Sequence, residues 1–432
     1  VEKKMNARLF AILALTSGIF LMVFGGVAAQ DGPVVVTMWH IAVDADPLAP
    51  AIEGAIERFN AAHDDIQVEA QAIENDAFKT QLQVAVAAGE QPDIFQTWGG
   101  GVLQGYVEGG VVRPIEELSG EAGELFIPGS LAPATFNGEH YAVPANLAGV
   151  FLWTNVTMFE EYGLELPSTW DQLMTACQTF SEAGIVPIGL GNVQRWPAAF
   201  WLIYLASRAG GPEPFTNAYN RVEGASFADP AFIEAGERIQ EAVNAGCFEQ
   251  GYNGTHHDDM QLLVATGGAA MQLQGDWYLG GLNGVDPDFT AANIRPLPFP
   301  TLPDSDADPT LMVGGTGQAF AISADAPPEA NAALIEMFSS PEFGQELAEL
   351  GFIPALVGYD QYITNPLVQE AAATLAEASY VQLYYDQFLP PELAQVHLDT
   401  TQRLFGLETT PEEAAEEMET TAQTVLTGEA SS

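Results

Sequence analysis

Lysine is nearly missing from this sequence. Of 432 residues only 12 are basic, against 58 acidic, giving a formal net charge of -46. Lys3, Lys4 and Arg8 crowd the N-terminus, and Lys79 is the sole lysine after them. So acidic a surface repels phosphate backbones and anionic headgroups, which excludes nucleic acid and polyanions as partners. It fits solubility at high salt or an acidic habitat, and equally a solvated surface with no specific role. Cysteine is also scarce. Cys177 and Cys247 stand alone, without a CxxC and without the position of a lipid-attachment cysteine. In an exported chain they could pair, or each could be a small buried hydrophobe; spacing leaves both open. Long apolar runs are missing too, after the first. Residues 9–27 are almost all apolar, and no later stretch is long enough to span a bilayer.

That single run follows basic residues and ends on Val27-Ala28-Ala29. This is the pattern of a secretory signal, residues 1–29, cut after Ala29. The remaining 403 residues hold 9 basic and 57 acidic side chains. They are expected in the periplasm or secreted, with no stable membrane insertion. ATP and nicotinamide cofactors are scarce there, and no cofactor is expected. A hydrophobic content of 47% makes the chain globular, and its length suits two or three lobes with sizeable cores.

The residue pattern predicts an α/β fold. Val34 to Trp39 is a β-branched strand, and Leu48, Ile52, Ala55, Ile56 and Phe59 recur at helical spacing after it. A strand at 66–70 follows, then a helix through Phe78, Leu82 and Val86, then a strand at 92–95. This alternation implies a parallel sheet with helices on its faces. Further strands are expected at 149–154, 185–190, 269–273 and 318–323. Helices should start at Ser168 or Thr169, after Asp229-Pro230, and after Thr410-Pro411. After Ala330 the chain becomes mainly helical. The Pro- and Asp-rich stretch 296–309 reads as a loop.

The order of segments resembles family 1 extracellular solute-binding proteins, the sugar-capturing components of ABC importers, whose architecture maltose-binding protein shares. The resemblance runs through VTMWH (36–40), AAGEQPDIFQTW (87–98) and YAVPANLAGVFLWTNVTMFEEYGLELPSTWDQL (141–173). It continues in GGAAMQLQGDW (267–277), GGTGQAFAIS (314–323), SSPEFGQELAELGFIPA (339–355) and VQLYYDQFLPPELAQ (381–395). It implies a two-lobed periplasmic-binding-protein fold with three interlobe crossings and a helical C-terminal region. The crossings are expected near 143–148, 273–276 and 324–330. Lobe one would hold 30–143 and 276–324, and lobe two 144–275 and 325–432. The resemblance implies a monomer without catalytic residues that holds a ligand in the cleft and docks on ABC transporter permease subunits.

A pyranose has a weakly apolar C–H face and a rim of hydroxyls. Flat aromatic rings cover the first, while carboxylates, amides and imidazoles bond the second. Trp39 and His40 end the first strand, where ligands of open α/β sheets bind. Trp98 ends the third strand before Gly99-Gly100-Gly101, and Trp196 follows another strand end. Asn146 and Asp276-Trp277 sit at expected crossings. The resemblance places a stacking Trp at 277 and further aromatic contact at Tyr384 and Tyr385. Trp98, Trp196 and Trp277 are the expected stackers; Trp39, Trp153 and Trp201 fall on or beside apolar runs and read more readily as core, and Trp170 sits in a helix cap and reads as structural. The scarcity of cations favours a neutral sugar, with Arg195 beside Trp196 the one cation against it.

Gly314-Gly315-Thr316-Gly317 lacks the Lys-Ser/Thr ending of a phosphate loop. Gly315 and Thr316 instead suggest close backbone approach to ligand, or a tight turn before the strand at Gln318. His256-His257-Asp258-Asp259 is the one metal-like cluster. Adjacent histidines in regular structure point apart and no HExxH accompanies them, so no metal site is expected. A polar loop capping a helix from Met260 is expected instead, with Asp259 in reach of a ligand. No second acid accompanies Asp276 as a glycosidase pair would require.

Overall fold

The computed structural model describes residues 32–43 and 46–427. The expected signal, 1–29, lies outside them. Among the described residues no helix is long and apolar enough to cross a membrane.

Strand β1 (Val34–His40) pairs in parallel with β2 (Ile66–Ala72) and β3 (Ile94–Thr97). The helices Ala49–Ala62 and Asn75–Ala88 connect them, the second ending at Gly89 in the left-handed conformation that glycine accepts without strain. A short hairpin, β4 (Thr135–Phe136) and β5 (Glu139–His140), precedes β6 (Ala142–Asn155). The strands β7 (Val186–Ile188), β8 (Ala269–Gly275), β9 (Ile294–Leu297), β10 (Met312–Ile322), β11 (Ile353–Pro354) and β12 (Val381–Gln382) follow. The main sheet runs β2-β1-β3-β10-β6-β8-β7, with β9 and β11 on β6 and β12 on β10.

Two strands are long enough to serve both halves of the molecule. The first residues of β6 pair with β10, and Val150–Thr154 pair with β8. In β10, Met312 and Val313 pair with β12, while Ala319–Ile322 pair with β3. The pleat then sends alternate residues to opposite faces. In the first half, Val143, Phe320 and Ile322 face one core with Val36, Ile52 and Phe59. Ala142, Ala319 and Ala321 face another with Phe78, Phe95 and Leu103. In the second half, Val150 and Leu152 join the cluster of Trp170, Trp201 and Tyr204, while Phe151 and Trp153 join Tyr278, Leu282 and Ile294. Each half is therefore a sheet covered on both faces.

This packing corrects the expected division of the chain. Tyr278, Leu279 and Leu282, expected in lobe one, pack on Phe151 and Trp153 of the second half. Leu334, Met337, Phe338, Phe343 and Leu347, expected in lobe two, pack on Val36, Ile52 and Phe320 of the first. The expected crossing at 324–330 is anchored wholly in the first half, where the Ser323 and Ala324 N–H groups donate to Asp93 and Val111. The chain crosses inside β10 instead, one end of which pairs with β12 and the other with β3. Its glycines do not form a turn. Gly314 and Gly315 pair with Gly149 and Ala148, and a Cβ at Gly314 would collide with the Ala148 carbonyl. The stretch expected as a loop begins with β9 residues Pro296 and Leu297.

Thr169 caps the helix Trp170–Glu182 with a reciprocal bond to Gln172, and Asp229 caps the helix Pro230–Asn244. Cys177 and Cys247 form a disulfide with Cα atoms 4.9 Å apart. It ties the first of these helices to the end of the second. Arg208 is buried, and its guanidinium donates to the carbonyl oxygens of Phe299, Pro309 and Leu311. One of the few cations thus fixes a loop and is unavailable to a ligand.

Candidate functional site

Trp277 is where the two halves meet. It follows β8, is half-buried, and packs against the cores of both halves. Its ring centroid lies 6.4 Å from Trp196, 6.3 Å from Phe200 and 6.2 Å from Tyr384. Trp196 opens the helix Trp196–Gly210, following Arg195 in a positive-φ conformation. Its indole Nε1 is buried without a hydrogen-bond partner, although such a donor normally finds one. Arg195 is turned away onto Asp399, 2.5 Å distant.

Asp276 is 3% exposed, and neither carboxylate oxygen accepts a hydrogen bond of good geometry. Burial pushes its pKa up to about 7, with the backbone N–H groups of Gly149, Asp276 and Trp277 opposing in part. The Tyr384 hydroxyl is likewise buried and unpartnered. Burial raises its pKa well above the ordinary value, and the charges of Asp276, Tyr204 and Asp386 add to this. A weakly satisfied acceptor thus directly precedes the ring of Trp277 and acts on an unpartnered hydroxyl at Tyr384, and an external polyol could bond both.

The first half supplies further unpartnered groups from its strands. His40 is buried with Nδ1 free, and burial lowers its pKa to about 4. Gln96 accepts from the Ile41 N–H at 3.1 Å and leaves its Nε2 without a partner. Asn146 and Gln318 face each other across β6 and β10, each with a free carbonyl oxygen. Trp98 is half-buried, edge-on to Phe78, with the Lys79 ammonium 5.2 Å from its ring centroid. Lys79 in turn draws down the pKa of Asp386, which burial raises. Beside Trp98 the halves touch. A Cβ at Gly100 would collide with the Gln387 carbonyl, and one at Gly101 with that of Phe388.

The structure therefore gathers Trp196, Asp276, Trp277 and Tyr384, and links Trp98 to them through Lys79 and Asp386. Other expected site residues have structural work. Tyr385 is corrected to the core, stacked on Phe215 at 3.8 Å between centroids. Thr316 is buried and donates to the Ser130 carbonyl at 2.8 Å. Gly315 makes room for Leu383. Trp39 is half-buried against the core of Phe78 and Phe95. Trp153, Trp170 and Trp201 are core, as expected. Gln96, Gln318 and Lys79 were missed. The signal for Gln96 was a polar residue inside the buried run Ile94-Phe95-Gln96-Thr97.

Two other places compete. A groove of about 620 Å³ lies between Leu166–Thr169, Leu297–Thr301, Pro309–Met312 and Glu377. Its wall is mostly apolar and brings together none of the unpartnered groups above. The other is the histidine cluster. His256 precedes the helix His257–Ala265 in an extended conformation, so the rule separating adjacent histidines does not apply. Their rings lie 5.0 Å apart, and the ligand atoms of His256, His257 and Asp258 fall within 4.8 Å of one another. The helix begins at His257 rather than Met260, and Asp259 is exposed.

The sequence profile of bacterial extracellular solute-binding proteins matches residues 45–345. The chain belongs to that family. The solute-binding protein shares 28% identity over 224 residues with a "Probable sugar-binding periplasmic protein" of Mesorhizobium japonicum. That alignment covers 51% of each chain, so the match spans about half the length of this relative. A solved structure concerned with xylan utilization by Caldanaerobius polysaccharolyticus is 29% identical, with a TM-score of 0.84. It covers 90% of this solute-binding protein and 100% of that chain. A chitin oligosaccharide binding protein, 23% identical, has a TM-score of 0.84 over 92% of this chain and 100% of its own, and shares the fold.

Proposed function

We propose that this solute-binding protein captures an uncharged carbohydrate between its halves, outside the cytoplasm, and delivers it to ABC transporter permease subunits. The carrying observation is Asp276, a buried carboxylate whose oxygens accept no hydrogen bond of good geometry, directly before Trp277, whose ring lies beside those of Trp196 and Tyr384. Sugar hydroxyls would donate to the carboxylate, and the rings would cover C–H faces. His40, Gln96, Asn146 and Gln318 would add contacts from the first half. Because ligand touches both halves, binding favours the closed arrangement by its differential affinity. The protein acts as a monomer, and capture requires no chemistry.

The supporting comparisons are the family match and the relative named for sugar binding. The test is a panel of mono-, di- and trisaccharides scored by thermal shift, with assay for new reducing ends. A stabilised protein and an unchanged sugar support capture. Turnover of the sugar, or no stabilisation by any member, rejects it.

A further inference from the structure

His257 faces two partners whose chemistry fixes its tautomer. The Gln194 side-chain oxygen accepts from the His257 backbone N–H at 3.2 Å, and only an oxygen can accept there. The same oxygen lies 2.7 Å from His257 Nδ1, so Nδ1 carries a proton. In a neutral imidazole Nε2 is then a bare lone pair. It lies 3.0 Å from Asp258 Oδ1, an acceptor facing an acceptor. Such a pair needs a cation between its members. His256 Nδ1 stands 3.3 Å from the other Asp258 oxygen, so two imidazoles address one carboxylate.

We propose that His256, His257 and Asp258 bind one divalent transition-metal ion of the zinc class. Each imidazole–carboxylate contact, 3.0 and 3.3 Å, is close to the N···O separation of two ligands on one ion, about 3.3 Å for bonds of about 2.0–2.1 Å, the two contacts reaching different oxygens of Asp258. Two nitrogens and a carboxylate favour zinc, nickel or copper over the oxygen-seeking magnesium and calcium. Gln194 plays the outer role usual for such histidines, holding Nδ1–H so that Nε2 points at the ion. Three protein ligands leave a fourth position open. The site borders the aromatic cluster, since the His257 ring centroid is 4.8 Å from that of Trp196. The alternative cation is a proton on His257, giving an ion pair and no metal affinity.

The experiment uses the intact mature protein, stripped with EDTA and titrated with ZnCl2 by calorimetry at neutral pH under a large excess of MgCl2. Magnesium saturates the general acidic surface without filling this site. One equivalent of zinc should bind, with affinity reduced by tenfold or more in H257A and in D258N. Gln194→Ala should weaken it by about tenfold, the usual effect of losing an orienting partner. These side chains are partly exposed, and metal-free melting temperatures near that of the parent confirm folded variants. Absence of a stoichiometric zinc event in the parent, or equal affinity in the folded variants, overturns the proposal.

Discussion

Trp196 and Trp277 stand with ring centroids 6.4 Å apart and planes at 59°, one opening a helix and the other following a strand end. Neither ring is sealed in a core, and Asp276 lies next to the second. Trp277→Ala should weaken carbohydrate binding by at least about 1 kcal/mol, roughly fivefold, the scale of a lost aromatic contact. Trp201, wholly buried, is the contrast: Trp201→Ala should cost about 3–5 kcal/mol of stability. Calorimetric affinities beside denaturant melts separate the two effects.

Asp276 sets a pH dependence of definite sign. Its folded pKa of about 7 lies above the ordinary 3.8, so between those values the folded state holds a proton the unfolded state has lost. Its contribution to stability is fully present below about pH 4 and is lost as pH rises through 7. Asp276→Asn should flatten that slope in denaturant melts between pH 4 and 8. Sugar hydroxyls donating to the carboxylate favour its charged form. Binding should therefore release a proton near pH 7 and tighten as pH rises to it, as calorimetry in two buffers would report.

His397 works in the opposite direction. It is wholly buried, neither ring nitrogen has a partner, and burial lowers its pKa to about 3. Between that value and the ordinary 6.5 the unfolded state binds a proton that the folded state does not. Stability should fall as pH drops from 6.5 towards 3. His397→Leu should remove that loss in acid melts and leave ligand affinity unchanged.

The disulfide closes a loop with a sequence separation of 70. Chain entropy assigns such a link about 4 kcal/mol. Reduction, or Cys177→Ser with Cys247→Ser, should lower unfolding free energy by that order without changing sugar affinity at neutral pH.

Much of the fold was legible because β-branched runs and period-3.6 patterns mark their elements locally, as in Val34–Trp39 and in Leu48 to Phe59. The division into halves was not. Leu334 and Phe343 show an apolar face, but nothing local says which core receives it. Gly314–Gly317 left close approach to a ligand and a tight turn both open, because glycine serves either, and pairing with Ala148 and Gly149 places the first two in a strand. Trp196, Asp276 and Trp277 were singled out from their places at helix and strand ends together with the family resemblance, and the fold sets the two rings side by side. Tyr385 was not separable from Tyr384, since neighbouring residues point apart and the sequence does not say which of them packs beside Trp277. Gln194 gave no signal, because its role depends on a histidine distant in sequence.

The measurement that bears most directly on the central claim is calorimetric titration of an oligosaccharide into the parent, Asp276→Ala and Trp277→Ala proteins. One equivalent bound by the parent, with binding lost in the first variant and weakened in the second, is the predicted result. The same affinity in all three folded proteins would place the sugar elsewhere and contradict the account.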